Sequence, residues 1–437
     1  MIQNYNEMAE EKAILVSVLL PAVNAIEAED ARKEMYLLAT TAGVEVVDEL
    51  TQKRQKLHPA NYLGKGKLEE LTRMVKMHQA STLIFDADLT PAQIKNLERV
   101  TGAKIIDRST LILHIFALHA RTRAARTQVE LAQLKYLLPR LTRQWSHLSR
   151  QVGGIGTKGP GETQLETDRR IIRRRIQHLK GELEKIDRQR VTRRKGRKEI
   201  FQAALVGYTN VGKSTLMNAL SGANVLVENQ LFATLDSTIR RVDLSKKHRL
   251  LLSDTVGFIR KLPHHLIASF RSTLDEVLDA DLLLHVVDVS HPAFAEQIQT
   301  VNNVLRNLRS NHKPVLMVFN KIDLLEDKGL LAGLKARFPR SIFISASRHI
   351  RIGRLKEILI GFIEQEFREE EIVLPLEKAG LKNIIYSYST VLEESYTASQ
   401  IHFLVRCSRI EHEKIQIRLE RHGVNGVISA KTEQEVL

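Results

Sequence analysis

The sequence predicts an α/β protein of several domains, and three observations carry that reading. Extended apolar runs alternate with helical spacings through the first 115 or so residues, the pattern of a parallel sheet covered by helices. A second alternation begins near Glu199 with an apolar strand that runs into a Gly-x-x-x-x-Gly-Lys-Ser loop. Between them lies a long, basic, helical stretch interrupted by glycines. With 437 residues, the chain has room for roughly two to four cores.

Residues 1–119 are expected to form the first α/β domain. Ala13–Val23, Val44–Val47, Thr82–Asp86 and Lys104–Asp107 read as strands. Ala31–Thr41, Lys67–His78, Pro91–Val100 and Ser109–Leu118 space their apolar residues as helices do. The turn Leu63-Gly64-Lys65-Gly66-Lys67 is either a phosphate contact or a plain turn before a helix.

Residues 120–198 read as a helical hairpin. Leu131, Leu134, Leu138 and Leu141 make one apolar stripe. Leu165, Ile172, Ile176, Leu179, Leu183 and Ile186 make a second with heptad spacing. The connector from Gly153 to Gly161 holds Gly153, Gly154, Gly156, Lys158 and two further glycines, and is longer than joining two helices requires.

The net charge of +15 is confined to this hairpin. Arg121–Lys198 contains 22 basic and 7 acidic residues, which leaves the rest of the chain neutral. Such confinement marks a polyanion contact more than a solvated face. An anionic membrane is the competing polyanion, but it would ask for an amphipathic helix with bulky apolar residues on the other face. With only Tyr136 and Trp145 as aromatic residues, the segment suits phosphates and shape more than stacked bases. Structured RNA is the expected partner, approached by Gly153, Gly154, Gly156 and Lys158 at the tip and by Arg169, Arg170, Arg173 and Arg174 beyond it.

Residues 199–367 are expected to form the second α/β domain. Residues 368–437 should form a small α+β domain, with strands near Ile372–Leu376 and Gln400–Ser408 and helices between and after. A single cysteine, Cys407, excludes an intrachain disulfide framework. The apolar runs are too short to span a bilayer, and Glu7, Glu10 and Glu11 argue against a secretory signal. A cytoplasmic protein is expected, and nothing in the sequence demands more than a monomer.

The chemistry lies in the second α/β domain. The strand Phe201–Val206 leads into Gly207-Tyr208-Thr209-Asn210-Val211-Gly212-Lys213-Ser214 and then a helical run. This is a P-loop in its strand–loop–helix setting, with Lys213 for the β- and γ-phosphates and Ser214 for Mg²⁺. Leu250–Ser253 ends in Asp254-Thr255-Val256-Gly257. There the Asp254 carboxylate can hold Mg²⁺ through water, and the Gly257 N–H can sense the γ-phosphate. Val315–Phe319 ends in Asn320-Lys321-Ile322-Asp323. Asp323 can accept from the guanine N1–H and amine, and the Lys321 stem can cover the base. Ser345-Ala346-Ser347 follows the strand Ile342–Ile344 and can offer a backbone N–H to the guanine oxygen. Four such motifs in order at strand ends point to GTP and GDP.

Phe232-Ala233-Thr234-Leu235-Asp236 is the candidate first switch, with Thr234 as the Mg²⁺ ligand of the GTP state and Thr238 as its rival. Phe258 stands where many GTPases have a glutamine that orients the attacking water. No catalytic residue is assigned, and slow turnover awaiting a partner is expected. Asn210 resembles the asparagine with which some GTPases help bind K⁺, a candidate second cofactor.

Taken together, these residues resemble the HflX-type GTPases, within the Obg–Era–TrmE group of P-loop GTPases. The likeness runs through Gly153–Gly161 with Glu162–Arg170, Gly207–Ser214, Phe232–Asp236, Asp254–Phe258 and Gly64–Lys67. Ser237, where the family usually has proline, is a departure. The resemblance implies binding to the large ribosomal subunit and its rRNA, and GTP-dependent separation of the subunits of stalled or stress-idled ribosomes. Two other classes stay open from the residues alone: a GTPase partner of a tRNA-modification enzyme, and a non-catalytic RNA-binding scaffold.

Overall fold

In the computed structural model, the described residues are 11–21, 23–141, 160–195, 200–222, 231–232, 238–260, 276–308, 310, 312–325, 329–365, 367–424 and 428–429. Strands β1 (Lys12–Leu19), β2 (Glu45–Lys53), β3 (Thr82–Phe85) and β4 (Lys104–Asp107) pair in parallel in the order β2-β1-β3-β4. All four residues of β3 are buried, as in parallel sheets covered on both faces. The helices are α1 (Ala25–Thr41), α2 (Lys65–His78), α3 (Pro91–Thr101) and α4 (Arg108–His119). Local chemistry sets their starts. Asn24 and Glu27 form a capping box on α1, Thr90 and Gln93 form another ahead of Pro91, and Asp107 caps α4. The Gly64–Lys67 turn opens α2, and the Gly64 N–H donates to Gln52.

The hairpin consists of α5 (Arg123–Leu137) and α6 (Pro160–Lys195). Leu131 is buried against Ile176 and Leu179, flanked by Leu134, Leu138, Ile172 and Leu183, so the two predicted stripes do face each other. Arg123 pairs with Glu182, and Arg175 with Glu130, at 2.7 Å each. Moving forward along one helix means moving back along the other, so they run antiparallel. Helix α6 starts at Pro160, inside the stretch expected to be connector, since proline at the first helical turn loses no hydrogen bond. The tip residues Gly153, Gly154, Gly156 and Lys158 lie outside the described residues.

A six-stranded sheet follows, with β5 (Gln202–Gly207), β6 (Thr238–Asp243), β7 (Arg249–Asp254), β8 (Leu282–Asp288), β9 (Val315–Asn320) and β10 (Ser341–Phe343) in the order β10-β9-β8-β5-β7-β6. Helices α7 (Lys213–Ser221), α8 (Phe294–Asn307), α9 (Gly329–Arg337) and α10 (Ile352–Gln365) accompany it. Strand β8, Leu-Leu-Leu-His-Val-Val-Asp, is buried throughout and pairs in parallel with β5 and β9.

The last sheet is antiparallel. Strands β11 (Phe367–Pro375), β12 (Thr390–Tyr396), β13 (Gln400–Ser408) and β14 (Ile428–Ser429) take the order β12-β13-β11-β14, with α11 (Lys382–Tyr388) and α12 (Arg409–Arg421). Strand β12 stands in a stretch expected to be helical. It is an edge strand with mostly polar residues, and so lacks the apolar alternation that would announce it. Cys407 is buried in this core, and burial pushes its thiol up to about 12.

The chain divides into two compact units. One comprises Met1–Arg190, Ala203–Arg240 and Leu252–Ile350; the other comprises Val191–Gln202, Arg241–Leu251 and Arg351–Leu437. The first takes in sequence from three of the four expected segments and contains the predicted nucleotide motifs. Among the described residues, no helix is long and apolar enough to cross a membrane.

Candidate nucleotide site

The buried apolar run Ala203–Val206 delivers the chain to the loop Gly207–Ser214, and α7 begins inside the motif at Lys213. Gly212 has φ +91°, and a Cβ there would stand 2.4 Å from Asn320 Nδ2; only glycine tolerates both the conformation and the approach. The Lys213 ammonium is buried and donates to the carbonyls of Tyr208 at 2.7 Å and Gly207 at 3.3 Å. Burial lowers its pKa to about 8, against the opposing pull of Asp254.

The Ser214 hydroxyl donates to Asp254 Oδ2 at 2.5 Å, which joins the start of α7 to the end of β7. These are hard oxygen donors, few in number, and among the described residues no group of three or more His, Cys, Asp or Glu gathers to hold a metal. That fits Mg²⁺, which takes one or two protein oxygens and completes its shell with phosphate and water. It does not fit an all-protein metal cage.

Gly257 lies directly under the loop. A Cβ at this position would come within 2.8 Å of Thr209 Cα and 3.0 Å of Lys213 Nζ. The backbones lock there: the Thr209 N–H donates to Phe258 O at 2.8 Å, and the Phe258 N–H donates to Gly207 O at 3.1 Å. The Phe258 ring is buried with Val206, Val277, Leu283 and Val301. Beyond lacking a hydrogen bond for water, this residue bolts the segment after Asp254 into the core. Thr255 donates its hydroxyl to Leu205 O at 2.6 Å, and Val256 is buried.

The base-reading motifs converge on the same loop. Asn320 Nδ2 donates to Val211 O at 2.9 Å, while its Oδ1 accepts the Ala346 N–H at 2.9 Å. One side chain thus ties the P-loop to Ser345-Ala346-Ser347. Lys321, at φ +63°, donates from Nζ to Asn210 O at 2.9 Å. Asp323 is exposed in the short turn Ile322–Leu324, free to face a ligand. The Ser345 hydroxyl accepts the Arg348 N–H and lies 3.3 Å from Ser347 Oγ.

The structure therefore brings together Gly207–Ser214, Asp254–Gly257, Asn320–Asp323 and Ser345–Ser347. Ala233, Thr234, Leu235 and Asp236 lie outside the described residues, as does Ser237. Phe232 is buried, with its ring edge-on to Phe116 of α4 at 4.7 Å. Thr238 is exposed at the first position of β6.

Sequence reasoning missed a buried ionic cluster beneath the loop. Arg108 is 2% exposed and donates to Asp86 at 2.7 Å, to Glu34 and, at 2.9 Å, to the carbonyl of Arg260. Burial opposes its charge, but Glu34 and Asp86 outweigh it. The Tyr208 hydroxyl donates to Glu34 and accepts the Arg260 N–H at 2.8 Å. Arg260 and His291 both pair with Asp30, at 3.1 and 2.9 Å. Helix α1 and Arg108 thereby grip the P-loop and the segment after Gly257. No periodicity signals these pairings, which join positions far apart in sequence. His285, buried in β8, was also unmarked; burial and then Lys213 push it down to about 4, so it is neutral.

On the hairpin, Arg170, Arg173 and Arg174 are exposed on α6, beside Glu166 and Gln177 around a shallow depression. Arg169 is half-buried, and Arg175 is engaged by Glu130.

Known proteins align with the whole arrangement. Three family models match in succession: GTP-binding GTPase N-terminal over residues 29–117, GTP-binding GTPase Middle Region over 119–197, and 50S ribosome-binding GTPase over 202–321. The GTPase HflX of Caldanaerobacter subterraneus subsp. tengcongensis is 48% identical over 393 residues, 89% of each chain. That of Magnetococcus marinus is 43% identical over 419 residues, covering 95% of this chain and 97% of the relative. That of Escherichia coli is 42% identical over 389 residues, covering 88% and 91%. Among solved structures, a GTP-binding protein from Sulfolobus solfataricus in complex with GDP aligns over 81% of this chain and 99% of its own, at 25% identity and a TM-score of 0.44.

Proposed function

The chain belongs to the HflX family of GTPases, and from that premise we propose that it couples GTP binding at Gly207–Ser214 to docking of its basic hairpin on the rRNA of the large ribosomal subunit, and so parts the two subunits. The observation that carries the nucleotide half is the convergence of Lys213, Ser214 and Asp254 on one loop, cross-tied by Asn320 to Ala346. Backbone N–H groups of the loop and Lys213 bind the phosphates. Ser214 would hold Mg²⁺ directly and Asp254 through water, and Thr234 would join in the GTP state. When bound, the ion neutralises charge developing on the β- and γ-phosphate oxygens. Asp323 accepts from the guanine edge, the Lys321 stem covers the ring, and Ser347 presents its backbone N–H to the base, since those of Ser345 and Ala346 are engaged by Ile350 and Asn320. Asn210 is assigned to K⁺.

The Phe258 side chain offers no hydrogen bond to the attacking water, so hydrolysis waits for a partner. For the RNA half, Arg170, Arg173 and Arg174 stand exposed, and each phosphate that they neutralise releases counterions. The match of residues 202–321 to a family of 50S ribosome-binding GTPases supports the ribosome as the partner.

The test is GTP hydrolysis by the purified chain during titration with large ribosomal subunits at fixed K⁺ and salt. Strong, saturable stimulation is expected, together with a GTP-dependent fall in light scattering from joined ribosomes. Flat, slow hydrolysis and unchanged scattering would overturn the ribosomal reading.

A further inference from the structure

Asp288, the last residue of β8, belongs to none of the nucleotide motifs, yet its partners lead to them. Its Oδ2 lies 2.6 Å from Lys321 Nζ. Its Oδ1 accepts from the Ser290 hydroxyl at 2.6 Å and from the Ser290 N–H at 3.1 Å. The carboxylate is thus held from both sides, at 8% exposure for the residue. Asp288 also stands opposite Asn320 in the parallel β8–β9 register, and the Val289 N–H donates to Asn320 O at 3.1 Å. The fold therefore fixes the anion beside the motif that reads the base.

Lys321 needs such a holder. Its backbone is left-handed, at φ +63°, a conformation that persists only where neighbours determine it. A lysine stem loses much of its rotamer freedom when it is ordered, an entropic cost. Here two protein groups order it: the Asn210 carbonyl at 2.9 Å and the Asp288 carboxylate. An ammonium carries three donors, and a carbonyl alone would compete weakly with water for it.

We infer that Asp288 is a positioning residue for guanine nucleotides, anchoring the Lys321 ammonium against the P-loop so that the lysine methylenes lie ready over the base. The inference rests on the reading of Lys321 as the residue that covers guanine. Preordering the stem in the free protein removes that cost from binding, so the anchor acts on affinity and residence time and touches no reacting atom.

The experiment is a double-mutant cycle on the full chain, with GDP as the probe, reading affinity by calorimetry and dissociation by displacement of a fluorescent GDP. Asp288→Asn should weaken GDP about tenfold, chiefly through faster dissociation, within the range of couplings between touching groups. Lys321→Ala should weaken it at least as much, and the double variant should be no worse than Lys321→Ala. Unfolding midpoints without nucleotide separate this from a merely structural loss, since the anchor predicts a larger effect on GDP than on the free protein. If Asp288→Asn proves too unstable, Ser290→Ala, which loosens the carboxylate, should give about a threefold loss in the same direction. Wild-type affinity in Asp288→Asn beside a weakened Lys321→Ala would overturn the anchor and leave the base-covering role of Lys321 standing. Full additivity in the cycle would also overturn it. Unchanged affinity in Lys321→Ala would overturn the base-covering role itself, and Asp288 with it.

Discussion

Lys213 and Arg173 are both cations that the proposed function assigns to phosphates, and the fold treats them in opposite ways. Lys213 is buried and bonded to the carbonyls of Gly207 and Tyr208, with Gly257 close against its ammonium and the Asp254 charge favouring its protonated form. Arg173 stands exposed on α6 between two further exposed arginines, Arg170 and Arg174. The first arrangement resembles a preformed socket, where selectivity comes from geometry set in advance. The second resembles a charged surface, where affinity comes from counterion release and tolerates positional freedom. A substitution near Lys213 should therefore act sharply and locally, and one near Arg173 gradually and with salt.

The largest expected effect lies at the base of the socket. Arg108→Ala strips the partner from Glu34 and Asp86 and should destabilise the protein by about 3–5 kcal/mol, the cost of leaving buried charges unpaired. Chemical denaturation reads it, and a loss under about 1 kcal/mol would mean that the cluster is wetter than its burial implies. Lys213→Ala comes next, with GTP affinity expected to fall by about 2–5 kcal/mol; normal affinity in calorimetry would contradict the site. Asp323→Asn should cost about 1.5–3 kcal/mol for GTP, the worth of hydrogen bonds to a charged group. It should also shift preference towards xanthine nucleotides, and unchanged guanine selectivity would remove Asp323 from base reading.

On the exposed side the effects are smaller and of another kind. Replacing Arg170, Arg173 and Arg174 by Gln should leave the unfolding midpoint unchanged. The salt slope of binding to large-subunit RNA should become shallower by about 0.7–0.9 for each phosphate that the variant no longer neutralises. An unaltered slope would take these arginines out of the interface. A large drop in stability would show that the hairpin depends on them, and the contrast with Lys213 would then fail.

The same contrast explains what could be read in advance. The helices of the first domain announced themselves through their apolar steps, because that signal is local; the caps at Asn24 with Glu27 and Thr90 with Gln93 went unread, and α1 begins at Ala25, ahead of the expected Ala31. The hairpin seam was legible too, since Leu131, Ile176 and Leu179 follow the helical period that buries them. Strand β12 escaped because an edge strand with a polar pattern carries no period to detect. Strand β8 is a buried Leu and Val run broken by two polar residues, His285 and Asp288, that no motif marks. Phe258 was legible as a missing hydrogen bond, but its burial among Val206, Val277 and Leu283 was not.

By itself, the sequence determined the alternation of strands and helices in the first domain, the guanine nucleotide, the P-loop lysine and the confinement of charge to one hairpin. Each of these follows from residue type at short spacing, where backbone geometry leaves few alternatives. Only the tertiary structure decided which distant groups meet. It placed Glu34 and Arg108 against Tyr208 and Arg260, and Asp288 against Lys321. Such pairings depend on the packing of whole elements, and a buried charge finds its partner through the fold, at a sequence separation that no local pattern records.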